Sequence, residues 1–335
     1  MFRLIIKIAT AAYLLLPSYA TAEPIKLKLS FFTSDRSSIY QYSIKPFVDA
    51  VNSDGEGLIE IEVYFSGAIS GVQSQQPQLV SDGIADLAII VPGQMPERFH
   101  DNAIMELPGL YRDSREASQI FNRLIGANAL KGYDDYIVVG ALVSGPENIH
   151  SRKPINSIED LKGLVVRVNN KIESEVLETL GAIPVLLPIN KTTEAISRGN
   201  IDAATFPPSM LFEFGIGRVT SNHFMLGLGG APTALVMNRK KFESLPKRAQ
   251  QIIRKYSGDW LSDRSAEGLG ALDITVVRDL IADQRRNVVT PSTGDIERAR
   301  AAFDAVINEW IASNPRNQEL LKQVKAELSK LRSQE

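Results

Sequence analysis

Ser157-Ile158-Glu159-Asp160-Leu161-Lys162-Gly163-Leu164-Val165-Val166-Arg167-Val168 packs a helix start, a helix stop and a strand into one short stretch. Ser157 followed three residues later by Asp160 is a capping-box pattern, in which each side chain takes up a free backbone N–H of the helix start. Gly163 ends the helix, because glycine enters the left-handed terminal turn without steric cost. Leu164–Val168 then reads as a strand buried on both faces. Outward from it, Glu173–Leu180 reads as helix, Ile183–Leu187 as strand, Thr192–Ser197 as helix closed by Arg198-Gly199-Asn200, and Ile201–Thr205 as strand again. Upstream, Tyr136–Val143 is a strand preceded by a helical region near Ser114–Leu130.

The earlier part of the chain has the same grammar. Ile25, Leu27, Leu29 and Phe31 alternate with Lys26, Lys28, Ser30 and Phe32, which is the period of a strand. Thr33, Ser34 and Asp35 offer helix-capping chemistry, and Ile39, Ile44, Phe47, Val48 and Val51 line one side of a helix bent at Pro46. Gly55 and Gly57 turn into a second alternating strand with Ile59, Ile61, Val63 and Phe65 on one face. A helix around Val72–Val80 stops near Gly83, and Ala88-Ile89-Ile90-Val91 is a fully apolar strand. Strands alternating with helices in two successive units predict an α/β protein with mainly parallel sheets. No Pro/Gly/Ser-rich linker separates the units, so several strand crossings are expected to join them. From Lys247 to about Asp283 apolar residues recur at helical spacing without a proline. One continuous helix would be about 55 Å long, at ~1.5 Å per residue. Gly258, Gly268 and Gly270 weaken it, and two or three shorter helices fit the same pattern.

The N-terminus reads as an address. Arg3 and Lys7 precede an apolar run from Ile8 to Leu16, Pro17 breaks it, and Ala20-Thr21-Ala22 has the small-x-small form of a cleavage site. A cleaved signal peptide over 1–22 and a periplasmic destination are therefore expected. The chain has no cysteine among 335 residues, which excludes thiolate chemistry, disulfides and lipid attachment at an N-terminal cysteine. A net charge of −2 with interspersed signs gives nucleic acid no footing. His100, His150 and His223 are not in metal-ligand spacing, and neither a nucleophile elbow nor a phosphate loop is present, so no cofactor or metal is expected. A secreted hydrolase of small esters is the competing class, and it lacks a visible nucleophile and base.

Arg167 interrupts an otherwise apolar strand, and a buried guanidinium demands an anion. The residues leave two partners open: a bidentate ligand carboxylate, or an internal acid such as Glu159, Asp160 or Asp202.

The stretch from Lys153 to Val168, with Leu180-Gly181-Ala182-Ile183-Pro184 and Gly199-Asn200-Ile201-Asp202-Ala203, resembles the core signature of TRAP-transporter solute-binding proteins, the DctP-like family. Ser81–Asp86, Glu106–Tyr111 and Phe242–Pro246 match further landmarks of that family in the same order. The resemblance implies a two-lobed extracytoplasmic (type II-like) binding protein. Each lobe is a mixed sheet flanked by helices, the lobes are joined by crossing strands and a long helix, and small and large membrane permease subunits are the partners. It divides the chain into a signal segment, 1–22, a first lobe, 23–144 with 232–272, and a second, 145–231 with 273–335. It also implies that Arg167 binds a ligand carboxylate. Where many relatives carry a second arginine this chain has Glu147; a common asparagine is replaced by Phe206 in Thr205-Phe206-Pro207, and a glutamate-tyrosine pair by Lys191 and Thr193. These departures favour a monocarboxylate held by Arg167 against Phe206, Thr205 and Val91. Glu147 is open either to an ammonium group, as in ectoine or an amino acid, or to Arg152, Lys153 or solvent. Thr33, Ser34 and Gln94 are further candidates from loop ends of the first lobe, and a sensory receptor is an alternative partner to the permease.

Overall fold

The computed structural model of the chain describes residues 23–334. The expected signal segment lies outside the described residues. The chain opens with β1 (Ile25–Ser30), α1 (Lys45–Asp54), β2 (Ile59–Tyr64), α2 (Gln76–Ser81), β3 (Leu87–Ile90), α3 (Ser114–Gly126) and β4 (Tyr136–Val143). It continues through β5 (Asn148–Ser151), β6 (Val165–Val168), α4 (Lys171–Thr179), β7 (Ile183–Leu186), α5 (Ile189–Ser197), β8 (Ala203–Phe206), α6 (Ile216–Val219) and β9 (Asn222–Phe224). It returns through β10 (Pro232–Asn238), α7 (Arg239–Ser244), α8 (Lys247–Lys255), α9 (Asp259–Ala282), β11 (Asn287–Val289), α10 (Thr293–Ser313) and α11 (Pro315–Arg332).

Two mixed sheets make two lobes. The first has the order β2-β1-β3-β10-β4, with β1 parallel to β2 and β3 and with β10 antiparallel to β3 and β4. The second has the order β11-β9-β5-β8-β6-β7. Helices cover both faces of β3, so all four of its residues are buried and its sequence carries no polar position. β1 alternates instead, with Leu27 and Leu29 fully buried and Lys26 and Lys28 exposed. Each such buried aliphatic side chain contributes roughly 1.5–3 kcal/mol from apolar burial. A single π-turn over Tyr40–Ile44 leads into α1, and Pro46 lies in the first turn of that helix, where its missing N–H costs no hydrogen bond.

The chain crosses between the sheets at residues 144–147 and again at 225–231, and the two crossings form a ladder. Ser144 N–H donates to the Ala231 carbonyl at 3.0 Å, Glu147 N–H to Gly229 at 2.7 Å, and Leu228 N–H to Glu147 at 2.8 Å. Gly229 has φ 110°, which only glycine adopts without strain. The third connection is α9, which packs on α3 and β4 at one end and on the turn around Pro208–Met210 and β11 at the other. Of the two readings of 247–283, one continuous helix or shorter ones, the structure has the divided form. Gly258 has φ 63° and donates its N–H to the Val139 carbonyl, so α8 stops and α9 restarts at a new angle. Helix α11 packs back onto α3, with Arg316 bonded to Asp101 and Arg332 to Glu116. The C-terminal helix thus flanks α3. No helix among the described residues is long and apolar enough to cross a membrane.

Candidate functional site

Arg167 stands near the carboxyl end of β6, where ligand crevices of α/β sheets open, between Val185 of β7 and Ala204 of β8. It is 2 % exposed. Its Nε–H donates to the Leu187 carbonyl at 2.9 Å, Nη1 to the Thr205 carbonyl at 3.1 Å and Nη2 to Asn169 Oδ1 at 3.3 Å. Of the five N–H donors of a guanidinium these bonds use three, which leaves one on each Nη. Burial presses the group downward from its ordinary pKa, and the neighbouring Glu147 and Glu173 oppose that shift.

The internal acids that could have neutralised Arg167 are engaged elsewhere. Asp202 pairs with Lys153 at 2.7 Å and accepts the Val165 N–H; Glu159 pairs with Arg298; Asp160 caps the turn that begins at Ser157. Among the described residues the fixed partners of Arg167 are neutral oxygens. The ring of Phe206 lies beneath it, 4.8 Å from the guanidinium carbon.

Both residues line a cavity of about 60 Å³ between the lobes. Val91 and Glu147 line it as well, together with Phe32, Ile189, Phe214 and Leu269. The wall is predominantly apolar. Thr205 does not reach the cavity: its hydroxyl is fully buried and donates to Glu173 Oε2 at 2.8 Å, so its role is to carry Arg167 on its carbonyl. Thr33, Ser34, Gln94 and Lys191 border the adjoining mouth instead. Thr193 is bonded to the Phe214 carbonyl. Gln94 closes that mouth by donating from lobe one to the Asn169 carbonyl of lobe two at 2.6 Å, and Ser38 similarly donates from its N–H and hydroxyl to Glu213 Oε2, each at 2.7 Å.

Glu147 is neither solvated nor paired with Arg152 or Lys153. It is 3 % exposed, Arg152 donates to the Ile196 carbonyl, and Lys153 holds Asp202. Its Oε2 is buried without a hydrogen-bond partner among the described residues. Burial pushes its carboxyl well above the usual range; Glu173 adds to this and Arg167 partly opposes it.

Sequence reasoning missed several lining groups. Asn169 follows the arginine strand directly and so was accessible to it. Ser43 and Ser265, whose hydroxyls bond across the cavity wall, are separated by more than two hundred positions and share no local pattern. Strand pairing also sets His150 opposite His223, Nδ1 to Nδ1 at 2.8 Å, with His150 Nε2 bonded to the Phe206 carbonyl behind the cavity. Among the described residues no group of three or more histidines and acids gathers as a metal site.

The family model for bacterial extracellular solute-binding proteins, family 7, matches residues 29–314. The C4-dicarboxylate-binding periplasmic protein DctP of Rhodobacter capsulatus is 22 % identical over 304 residues, covering 84 % of this chain and 90 % of its own. A TRAP solute-binding protein from a marine metagenome, specific for aromatic acid ligands and crystallised with 3-hydroxybenzoate, superposes with a TM-score of 0.86 at 25 % identity, over 92 % of this chain and 99 % of that one. One from Rhodoferax ferrireducens T118, in complex with copurified benzoate, gives 0.85 at 25 % identity, over 91 % and 98 %.

Proposed function

The chain belongs to the bacterial extracellular solute-binding proteins of family 7, the TRAP solute-binding proteins, and from that premise we propose that it captures a small aromatic monocarboxylate between its lobes. One observation carries this reading: a buried guanidinium lining an apolar cavity, with an unused N–H on each Nη and, among the described residues, no carboxylate bonded to it. Such a fork fits a carboxylate in bidentate fashion. Phe32, Val91, Phe206 and Phe214 offer the remainder of the solute apolar and aromatic surface, and among the described residues no second cation lines the cavity for a dicarboxylate. Benzoate and 3-hydroxybenzoate in the two structural relatives support the same class.

In this reading the signal segment delivers the chain to the periplasm, and the filled, closed form is handed to a membrane permease. The protein binds and releases its solute unchanged. The test is thermal unfolding with benzoate, 3-hydroxybenzoate, mandelate and succinate. An aromatic monocarboxylate at a hundred times its Kd stabilises the folded state by about 2.7 kcal/mol. Succinate gives a much smaller shift, and Arg167→Ala abolishes the shift while the free protein remains folded. An aromatic acid that binds the Arg167→Ala variant as tightly as the wild type removes Arg167 from the site.

A further inference from the structure

The charges of two buried carboxyl groups, Glu147 and Glu173, act on the Arg167 guanidinium without bonding to it, and Glu147 lines the cavity. Glu147 comes from the first crossing between the lobes, with its backbone bonded on both sides to residues 228 and 229. Glu173, from α4, accepts hydrogen bonds from Thr205 Oγ1, the Asn169 N–H and Asn170 Nδ2. Glu106, on the turn after the 3₁₀ segment His100–Met105, faces Glu173 from the far side, and the groups acting on Glu147 itself are Glu173, Arg167 and the Thr205 hydroxyl.

A guest carboxylate on Arg167 adds a further negative charge to this group. Were Glu147 also ionised, one guanidinium would face three carboxylates in a largely desolvated site. The unpartnered Oε2 resolves the conflict. A protonated carboxyl oxygen is a donor, and a donor buried in the cavity wall without an acceptor is costly until the guest supplies one. We propose that Glu147 occupies the filled site as an uncharged carboxyl and donates a hydrogen bond from Oε2 to the guest, so that the protein takes up an anion and a proton together. This deepens the carboxylate reading of the site and rests on it. The environment acts in the same direction: burial and Glu173 both raise the proton affinity of Glu147. An ammonium guest would require the opposite charge state in that place.

The experiment is calorimetric titration with benzoate from pH 6 to 9.5, in buffers of different ionisation enthalpy, on the wild type and on Glu147→Gln. The glutamine keeps a donor and cannot titrate. Wild-type affinity falls as pH rises, approaching about tenfold per pH unit, and the binding heat varies with the buffer because a proton is taken up. The variant binds within about threefold of the wild type at pH 6 and has a flat profile. A wild-type profile as flat as the variant's, without proton uptake, overturns the proposal. So does preference for an aromatic zwitterion such as phenylalanine that Glu147→Gln abolishes, since Glu147 would then act as an anion. Failure of both proteins to bind benzoate at any pH overturns the carboxylate reading itself, and the proton coupling with it.

Discussion

Phe206 presents its face to a cation that has little water to solvate it. With the ring centroid 4.8 Å from the Arg167 guanidinium carbon, the aromatic quadrupole replaces part of the lost hydration and helps hold the fork flat toward the cavity. Replacing the ring with an aliphatic side chain keeps the burial and removes that face. Phe206→Leu is therefore expected to weaken benzoate binding by about five- to thirtyfold, the equivalent of roughly 1–2 kcal/mol, while the protein remains folded. Affinity within twofold of the wild type would show that the ring only fills space. Arg167 was legible in the sequence because a charge inside Leu164–Val168 violates the pattern around it. The environment of Glu147 was not. It follows Gly145-Pro146 in what reads as a loop, and its burial comes from backbone bonds to Gly229 and Leu228, some eighty positions away. Local patterning carries no signal of such a pairing.

Helix α9 ties the lobes together through 24 residues, about 36 Å at ~1.5 Å per residue. Its start is set by close packing on β4. A Cβ added at Gly140 would meet Leu261 Cδ2 at 2.4 Å, and Leu261 is fully buried, so neither side can give way. Gly140→Ala is expected to destabilise the free protein by about 1–3 kcal/mol through overpacking. Gly270, on the same helix, has open space where a Cβ would stand. Gly270→Ala should stabilise by up to about 1 kcal/mol, because alanine restricts the unfolded chain and favours helix. Urea unfolding of both variants checks the pair, and equal effects of the same sign would show that the β4 contact yields. Helix and strand positions were largely readable from periodicity, and Gly258, Gly268 and Gly270 all stood out as weak points, but which of them divides the helix was not readable. Gly258 adopts φ 63° to place its N–H on the Val139 carbonyl, a tertiary bond, while Gly268 and Gly270, equally weak helix formers, remain inside the helix.

Across the whole molecule, two sets of buried groups pull stability in opposite directions with pH. Burial, followed by the charge of Glu173, pushes the Glu106 carboxyl up to about 8. Between pH 4.5 and 8 the folded protein therefore keeps a proton that the unfolded chain releases. The stabilisation is complete below about 4.5 and is lost as pH rises to 8. His150 and His223 behave inversely: burial, with Arg286 nearby, lowers them to about 4 and about 3. Here the unfolded chain takes protons that the folded pair refuses, so their contribution is full above about pH 6.5 and is lost as pH falls toward 4. Ligand-free protein is thus expected to be most stable in a mildly acidic to neutral range and to weaken on both sides. Glu106→Gln removes one limb alone. Its stability relative to the wild type should rise by about 3 kcal/mol between pH 5 and pH 8, measured by urea unfolding without ligand, while the acid limb set by the histidine pair is unchanged. A constant difference across that range would mean that Glu106 ionises in the folded protein as it does in the unfolded chain, and that water reaches it behind the cleft.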